Sequence, residues 1–230
     1  MLGLEYYLKL NDELFAEWRE KLNHKDQPFI DDGIINPEIW YSLDSKIPKV
    51  LFVLKEAYGD PYSLPVELSK NGPWSAMWNR VAEWSYGLIN YDYERNTFPE
   101  FKDLSHEESN YYLNRIAVMN LRKSNGSRNS SDRQFVKYAK ADNDLLIRQF
   151  NLINPDIVIY GYTFDAAKGI HNLSQTKKEN PSSHWYYKDQ QGRVHIDYFH
   201  PANHYPALLQ YYGLMNIYQK SLKDGKPDER

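Results

Sequence analysis

A short apolar run between Lys49 and Tyr62 constrains the fold of this chain more than any other feature of its sequence. The five consecutive apolar residues from Val50 to Leu54 are too few for a helix of ordinary length. They suit a strand that is buried on both faces. The run ends in a charged loop that contains glycine and proline. A buried strand that opens into such a loop is typical of open α/β folds, in which ligands collect at the carboxyl ends of parallel strands.

Composition narrows the classes of protein that fit this sequence. The chain has 230 residues, of which 41% are hydrophobic and 26% are charged, as in globular proteins of one large domain. The net charge of −3 argues against a strongly basic nucleic-acid-binding protein, although it allows a local basic patch. Because cysteine is absent, disulfides, thiolate-bound iron–sulfur clusters and cysteine zinc sites are excluded.

Further expectations follow from what the sequence lacks. No N-terminal signal segment is recognised, and no apolar run approaches the ~18 residues of a membrane span. The absence of disulfides suits the cytosol. We therefore expect a cytoplasmic protein, a monomer, that needs no metal or other cofactor.

Strand and helix patterns alternate along the chain. Apolar residues at helical spacing predict an N-terminal helix over residues 3–23, and a core follows over about residues 49–223 with a charged tail at 224–230. Strands are predicted at residues 49–54, 115–119, 156–160 and 193–199, the last as one arm of a hairpin that turns at 189–192. Helices are predicted at residues 73–88, 105–114, 131–152 and 206–223. Residues 24–48 and 55–72 are expected to be loops.

This order predicts a single domain, over residues 1–230, with a three-layer α/β/α fold. Its central sheet would have four strands, mostly parallel, with helices on both faces. The loops that follow the four strands would then lie at one edge of the sheet. Side chains from all four strand ends can converge there on one pocket.

Five short segments at these predicted strand ends and helix starts carry a resemblance to a known family. They read K-E-A-Y-G from Lys55, N-G-P-W from Asn71, V-M-N-L-R-K from Val118, P-D-I-V-I-Y-G from Pro155, and H-P-A from His200. In this order, over about residues 49–203, they resemble motifs of the uracil-DNA glycosylase superfamily, especially its branch with a G-E-A-P-G first motif. The resemblance implies a uracil-DNA-glycosylase-like fold with a nucleobase pocket at the carboxyl edge of the sheet.

The resemblance also implies catalytic roles for particular residues. Asn120 would read the Watson–Crick edge of a base, because a side-chain amide offers a donor and an acceptor side by side. His200 would donate to the carbonyl of the departing base and stabilise its negative charge. Glu56 or Asp60 would hold or deprotonate the attacking water. The structural alternatives are a turn former at Asn120, a histidine packed under Pro201, and an ordinary turn at Asp60.

Other residues would bind the substrate around this centre. Trp74 would offer a stacking surface, worth ~1–3 kcal/mol if a base stacks on it, or else belong to the core. Tyr58 would wall the base pocket or block it, with Ala57 beside it. The basic cluster after the second strand would contact phosphate, or else be a solvated loop. It consists of Arg122, Lys123, Arg128 and Arg133.

Taken together, the resemblance implies a DNA glycosylase that flips a damaged or deaminated base, such as uracil, and hydrolyses its N-glycosidic bond. DNA or another nucleic acid would be the partner. The alternative is a member of the superfamily that binds a base or nucleic acid without cleaving it, because Lys55, Tyr58 and Ala202 replace the family's glycine, proline and serine. A third reading is an unrelated α/β hydrolase or nucleotide-binding domain. G-x-S-x-G and G-x-x-x-x-G-K-[ST] are both absent, which counts against it.

Overall fold

A computed structural model describes residues 3–25, 27–57, 59–60, 62–124, 132–167, 170 and 185–223 of the chain. Its strands are β1 (Ile30–Asp31), β2 (Gly33–Ile34), β3 (Val50–Glu56), β4 (Tyr62–Ser63), β5 (Ile116–Arg122), β6 (Ile157–Gly161), β7 (Tyr186–Lys188) and β8 (Val194–Tyr198). Its helices are α1 (Leu4–Glu20), α2 (Pro37–Ser42), α3 (Leu64–Asn71), α4 (Ala76–Ile89), α5 (His106–Leu113), α6 (Asp132–Ala141), α7 (Asn143–Ile153), α8 (Phe164–Ala167) and α9 (Ala207–Lys223). No helix within these ranges is long and apolar enough to cross a membrane.

The main sheet has six strands in the order β2-β5-β3-β6-β8-β7. The four central strands are mutually parallel, and the two edge strands β2 and β7 run antiparallel to their neighbours. The predicted α/β class and mostly parallel sheet are therefore confirmed, but the predicted total of four strands is wrong. β2 is a two-residue strand that no sequence periodicity could reveal, and β7 is the outer arm of the predicted hairpin.

Alternate residues of β3 enter two separate hydrophobic clusters, one on each face of the sheet. Val50, Phe52 and Leu54 pack with residues of α4 and α9. Leu51 and Val53 pack with residues of α1 and α7. Burying one such side chain contributes about 1.5–3 kcal/mol. The continuous apolar run therefore arises because helices cover both faces of this strand.

Several element boundaries differ from the sequence prediction for local reasons. The expected loop at residues 55–72 contains α3, which Ser63 caps by accepting a hydrogen bond from the amide of Val66 at 3.5 Å. The next helix begins after Ser75 rather than at Pro73. The predicted helix over 131–152 is two helices that meet at Asp142. Residue 131, its expected cap, lies outside the described residues.

The long connection over residues 24–48 is also structured. It contains two short strands and α2, whose first turn is capped by the Asn36 side chain accepting from the amide of Ile39 at 3.1 Å. By contrast, the predicted capping box at Ser105 is confirmed, since its hydroxyl accepts from the Glu108 amide and the Glu108 carboxylate accepts from the Ser105 amide. Short elements without hydrophobic periodicity cannot be predicted from the sequence, whereas a capping motif indicates the start of a helix directly.

Candidate functional site

The carboxyl edge of the parallel strands brings four residues level with one another. Asn120 of β5 pairs with Leu54 of β3, and Gly161 of β6 pairs with Tyr198 of β8. Val53 pairs with Tyr160, so Leu54 and Gly161 are also level. Side chains along a strand point alternately to the two faces of the sheet, and residues that are level on neighbouring parallel strands point to the same face. All four residues therefore lie on the face that α4 and α9 cover. The chain leaves β3 toward β5 on one side and leaves β6 toward β8 on the other side. The connections therefore diverge between β3 and β6, and open α/β sheets bind ligands at such a point.

Gly161 allows a close approach at this point of the edge. A Cβ atom there would lie 2.7 Å from Leu54 Cδ2 and 3.3 Å from Pro201 Cδ. The loop that follows β8 therefore packs over the end of β6 and reaches toward β3. A larger residue at this position would push the loop away from the sheet.

His200 lies in that loop, two residues beyond β8. A cavity of about 540 Å³ opens beside it and is lined by His200, Ala202, Asn203, His204 and Tyr205. The imidazole is mostly withdrawn from solvent, and burial together with the nearby Lys55 charge lowers the His200 pKa to about 4. The ring is therefore neutral at pH 7.

The hydrogen bonding of His200 also determines its tautomer. Its Nδ1 atom accepts a hydrogen bond from the backbone amide of Ala202 at 3.1 Å. A neutral imidazole has one donor and one acceptor nitrogen, so the proton is on Nε2. The site thus presents a neutral N–H donor rather than a general base.

Arg80 of α4 fixes the backbone of the same loop. One guanidinium nitrogen donates to the carbonyl oxygens of Pro201 at 3.1 Å and Asn203 at 2.9 Å. The side-chain amide of Asn203 donates to the carbonyl oxygen of His200 at 2.9 Å, and Gln210 donates to the side-chain oxygen of Asn203. The loop that carries His200 is therefore tied to both α4 and α9.

Asn120 is buried, with 3% of its surface exposed. Its backbone amide donates to the carboxylate of Asp32 at 2.7 Å, which holds this residue inside β5 rather than at the predicted strand end. No hydrogen bond joins its side-chain amide to another residue of the described ranges. The structure therefore leaves the Asn120 amide group, as far as it is described, with hydrogen-bonding capacity for a ligand.

Glu56 and Arg122 face each other across the ends of β3 and β5. The Arg122 guanidinium donates to the Glu56 carboxylate at 3.3 Å, to the side chain of Gln27 at 3.2 Å and to the Ser124 hydroxyl at 3.3 Å. Its guanidinium carbon also lies 4.2 Å from the ring centre of Tyr138. This arginine is engaged within the protein, which does not agree with the surface phosphate contact expected for it.

Lys123 is still further from the expected role. It is 1% exposed, and its ammonium donates to both carboxylate oxygens of Asp32, at 2.6 and 2.8 Å, and to Gln149 at 2.8 Å. Desolvation lowers its pKa, and the paired Asp32 charge opposes that shift. Lys123 is thus an internal group that joins β5 to the segment between β1 and β2.

The other predicted substrate-binding residues lie in different surroundings. Trp74 precedes α4 and is 51% exposed, with its ring centre 5.7 Å from that of Trp78, so it is a surface side chain rather than a core one. Ala57 packs at the margin of the cluster under α4, and Asp60 is exposed. Residues 58 and 128, and the side chain of residue 133, lie outside the described residues.

The structure brings the predicted catalytic residues to one edge but not into one cavity. Neither Asn120 nor Glu56 lines the cavity beside His200. Asn120 lies in β5 and His200 in the loop after β8, and two strands, β3 and β6, separate β5 from β8. Leu54 of β3 and Pro201 of the loop after β8 both border Gly161 on β6.

Sequence reasoning missed the residues that position the site. Arg80 sits within an apolar helical pattern where it reads as an ordinary exposed arginine, and Asp32 reads as part of a loop. The sequence carried no signal at Asp32, because Asp-Asp-Gly is ordinary in a turn or loop. The signal at Arg80 was absent, since its two acceptors are backbone carbonyls far along the chain.

Within the described part of the chain, no group of three or more His, Asp or Glu side chains is arranged to hold a metal ion. Comparison of the sequence with models of known protein families, and with curated proteins, finds no match.

Proposed function

We propose that this chain hydrolyses the N-glycosidic bond of a damaged or deaminated base in a nucleic acid, as its resemblance to the uracil-DNA glycosylase superfamily implies. One observation carries the proposal, namely the state of His200. A neutral imidazole with its proton on Nε2 is a hydrogen-bond donor that can meet a developing negative charge. The positive charge of Lys55, close enough to lower the pKa of His200, favours an anion at the same place.

The layout of the edge supports a base held between Asn120 and His200. Two strands, β3 and β6, separate β5 from β8, and the loop that carries His200 folds back over the end of β6, the neighbour of β3. By its position in β5, Asn120 lies on the face of the sheet that α4 and α9 cover, and Arg80 of α4 holds the loop of His200 over the same face. An amide and an N–H donor near the apolar side chains of Leu54 and Pro201 suit a flat polar ring.

In the proposed reaction, the bond between C1′ of the sugar and the base nitrogen breaks, and the base leaves with the electron pair. The Nε2–H group of His200 stabilises the resulting anion without transferring its proton. A water molecule adds at C1′ and gives its proton to the carboxylate of Glu56 or Asp60. The carboxylic acid then releases this proton to solvent and the base anion takes one up, so that atoms and charge balance and the carboxylate is regenerated.

Binding of a base without cleavage is the second candidate function. The observation that favours it is the Glu56 carboxylate, which accepts a hydrogen bond from Arg122 at 3.3 Å. A carboxylate that already accepts a hydrogen bond from a guanidinium has less capacity left to hold the attacking water. If Asp60 does not hold the water either, the site binds a base and leaves its glycosidic bond intact.

The test is a base-release assay on oligonucleotides that carry uracil, hypoxanthine, xanthine or an oxidised pyrimidine. We expect the wild type to release one of these bases, and Asn120→Ala and His200→Ala to slow release by about 100-fold or more. Asn216→Ala, which removes an exposed amide on α9, serves as the matched control. Glu56→Gln and Asp60→Asn identify the carboxylate that holds the water. Binding without release of any base would support the second function and overturn the first.

A further inference from the structure

Large aromatic side chains are exposed along the carboxyl edge of the sheet, beside the proposed base site. Trp185 is 40% exposed, Tyr162 64% and Tyr205 58%. Tyr162 directly follows β6, and Trp185 precedes β7, whose antiparallel course places its start beside the end of β8. The backbone amide of residue 197 donates to the carbonyl oxygen of Trp185 at 2.8 Å, which fixes that position.

Two of these rings, Trp185 and Tyr205, are connected through the half-buried ring of Phe199 into a strip that ends in the cavity. The ring centres of Trp185 and Phe199 are 5.3 Å apart, and those of Phe199 and Tyr205 are 5.4 Å apart. Tyr205 itself lines the cavity that contains His200. An aromatic surface is thus continuous from the outer strands of the sheet to the proposed reaction centre.

Tyr162 has a strained backbone conformation at this edge of the sheet. Its φ angle of 62° lies in the left-handed region, which bulky residues rarely occupy. The backbone amide of Tyr162 donates to the carbonyl oxygens of Tyr160 at 2.8 Å and Tyr198 at 2.9 Å, which maintains the conformation. The Lys55 ammonium lies 5.5 Å from the centre of its ring, within the range of a cation–π contact. The ring is therefore presented to solvent by a constrained backbone.

Among the described residues, the two members of the predicted basic cluster, Arg122 and Lys123, do not offer a surface for duplex phosphate. Duplex binding rests largely on Lys and Arg side chains that neutralise phosphates. Here Arg122 is bound to Glu56 and Gln27, and Lys123 is buried against Asp32. The chain as a whole has a net charge of −3. Aromatic stacking, by contrast, supplies ~1–3 kcal/mol per base and requires bases that are not already paired and stacked in a duplex.

We propose that the strip formed by Trp185, Phe199 and Tyr205, with Tyr162 beside it, is a stacking surface for single-stranded nucleic acid. It would receive the unpaired bases next to the one that enters the site. This inference deepens the proposed function and rests on it for the location of the target base. It assigns the strand preference, which the motif resemblance leaves open.

The test measures binding of fluorescently labelled oligonucleotides with only normal bases, as a single strand and as the matching duplex. We expect the single strand to bind at least tenfold more tightly than the duplex at 0.15 M salt. Trp185→Ala combined with Tyr205→Ala should weaken single-strand binding by about 10-fold or more. Tyr6→Ala is the matched control, because Tyr6 is 50% exposed and lies beside Asn151 and Leu152, before the start of β6 and thus at the opposite edge of the sheet.

Three results would each overturn the inference: duplex binding as tight as single-strand binding, no measurable binding of single strands, or an equal loss of affinity in Tyr6→Ala and the double variant. The assay involves no cleavage, so its outcome is independent of the base-release assay. Base release from duplex alone would uphold the proposed function and refute the stacking surface. Single-strand binding without release would do the reverse.

Discussion

At the scale of single residues, the proposed function depends on the protonation state of His200. Its neutral form, with the proton on Nε2, follows from burial, from the Ala202 amide and from the charge of Lys55. The sequence marked this histidine through its H-P-A context, but only the three-dimensional surroundings determine whether it acts as donor or base. The same is true of Lys123, which the sequence places in a basic cluster and the structure places in the interior.

The titration of His200 is directly measurable. By NMR of histidine-labelled protein, we expect its titration midpoint near pH 4 rather than near the ordinary value of about 6.5. Because the Lys55 charge contributes to the depression, Lys55→Met should move the midpoint upward, though not fully to the ordinary value, since burial is the larger cause. A midpoint near 6.5 in the wild type would show that the imidazole is solvated and charged in weak acid.

Arg80 is a positioning residue for the same imidazole. Replacing it with methionine removes both hydrogen bonds to the loop carbonyl oxygens. We expect kcat for base release to fall about tenfold with a smaller change in KM, because misplacement of the donor affects the transition state most. The titration midpoint of His200 should rise as the loop admits water, and Arg80→Lys should recover part of both effects. Unchanged values of kcat and of the midpoint would mean that the loop holds its shape without Arg80.

At the scale of elements, the short strand β2 is attached to β5 by buried charge. Asp32, next to β2, accepts hydrogen bonds from the Asn120 amide, the Lys123 ammonium and the Gln149 side chain. Two residues of backbone pairing would not hold an edge strand alone. The cluster therefore explains how β2, without a sequence pattern of its own, becomes part of the sheet, and how Asn120 is fixed.

This cluster predicts a particular pattern of stability. Asp32→Ala leaves the buried Lys123 ammonium without its carboxylate partner. We therefore expect the free energy of unfolding to fall by about 3–5 kcal/mol. The double variant Asp32→Leu with Lys123→Met removes both charges and should recover much of that loss. Urea denaturation followed by circular dichroism measures both. If the single and the double variant lose the same free energy of unfolding, the packing of these side chains, and not their buried charges, determines the stability of this cluster.

Helix α4 carries a second titrating group, Glu83, whose pKa is raised to about 7 chiefly by burial. Between its ordinary pKa of 4.5 and about 7, the folded state holds a proton that the unfolded state has lost. The stability contributed by that proton is therefore present in acid and is lost as pH rises through 7. Glu83→Gln should raise stability at pH 8 by on the order of 1 kcal/mol and change little at pH 4.5. Equal effects at the two pH values would refute this assignment.

The elements that the sequence predicted are those with a clear hydrophobic periodicity or a capping motif. The run at Val50 identified the central strand, and the box at Ser105 identified a helix start. Periodicity failed for β2 and for α3, which are too short or too irregular to show it. The break at Asp142 was missed because apolar spacing continues across it while the buried carboxylate binds His24 at 2.6 Å.

At the scale of the whole molecule, the sheet brings distant segments to one edge. Asn120, Glu56, Tyr162 and His200 lie near or just beyond the carboxyl ends of the four parallel strands, and so at one edge of the sheet. The order of the strands alone suggests this arrangement. What the sequence could not give is their distances, because these depend on register and on how far each loop folds back over the sheet. The close approach of Pro201 to Gly161 is one such case.

In the proposed complex, one base is held between Asn120 and His200. The most direct measurement is a crystal structure of the protein with a single-stranded oligonucleotide that carries a non-cleavable analogue of the released base. We expect the Watson–Crick edge of this base to lie about 3 Å from the Asn120 side-chain amide, and a base carbonyl to face His200 Nε2. A base bound elsewhere, in contact with neither side chain, would contradict the proposed function.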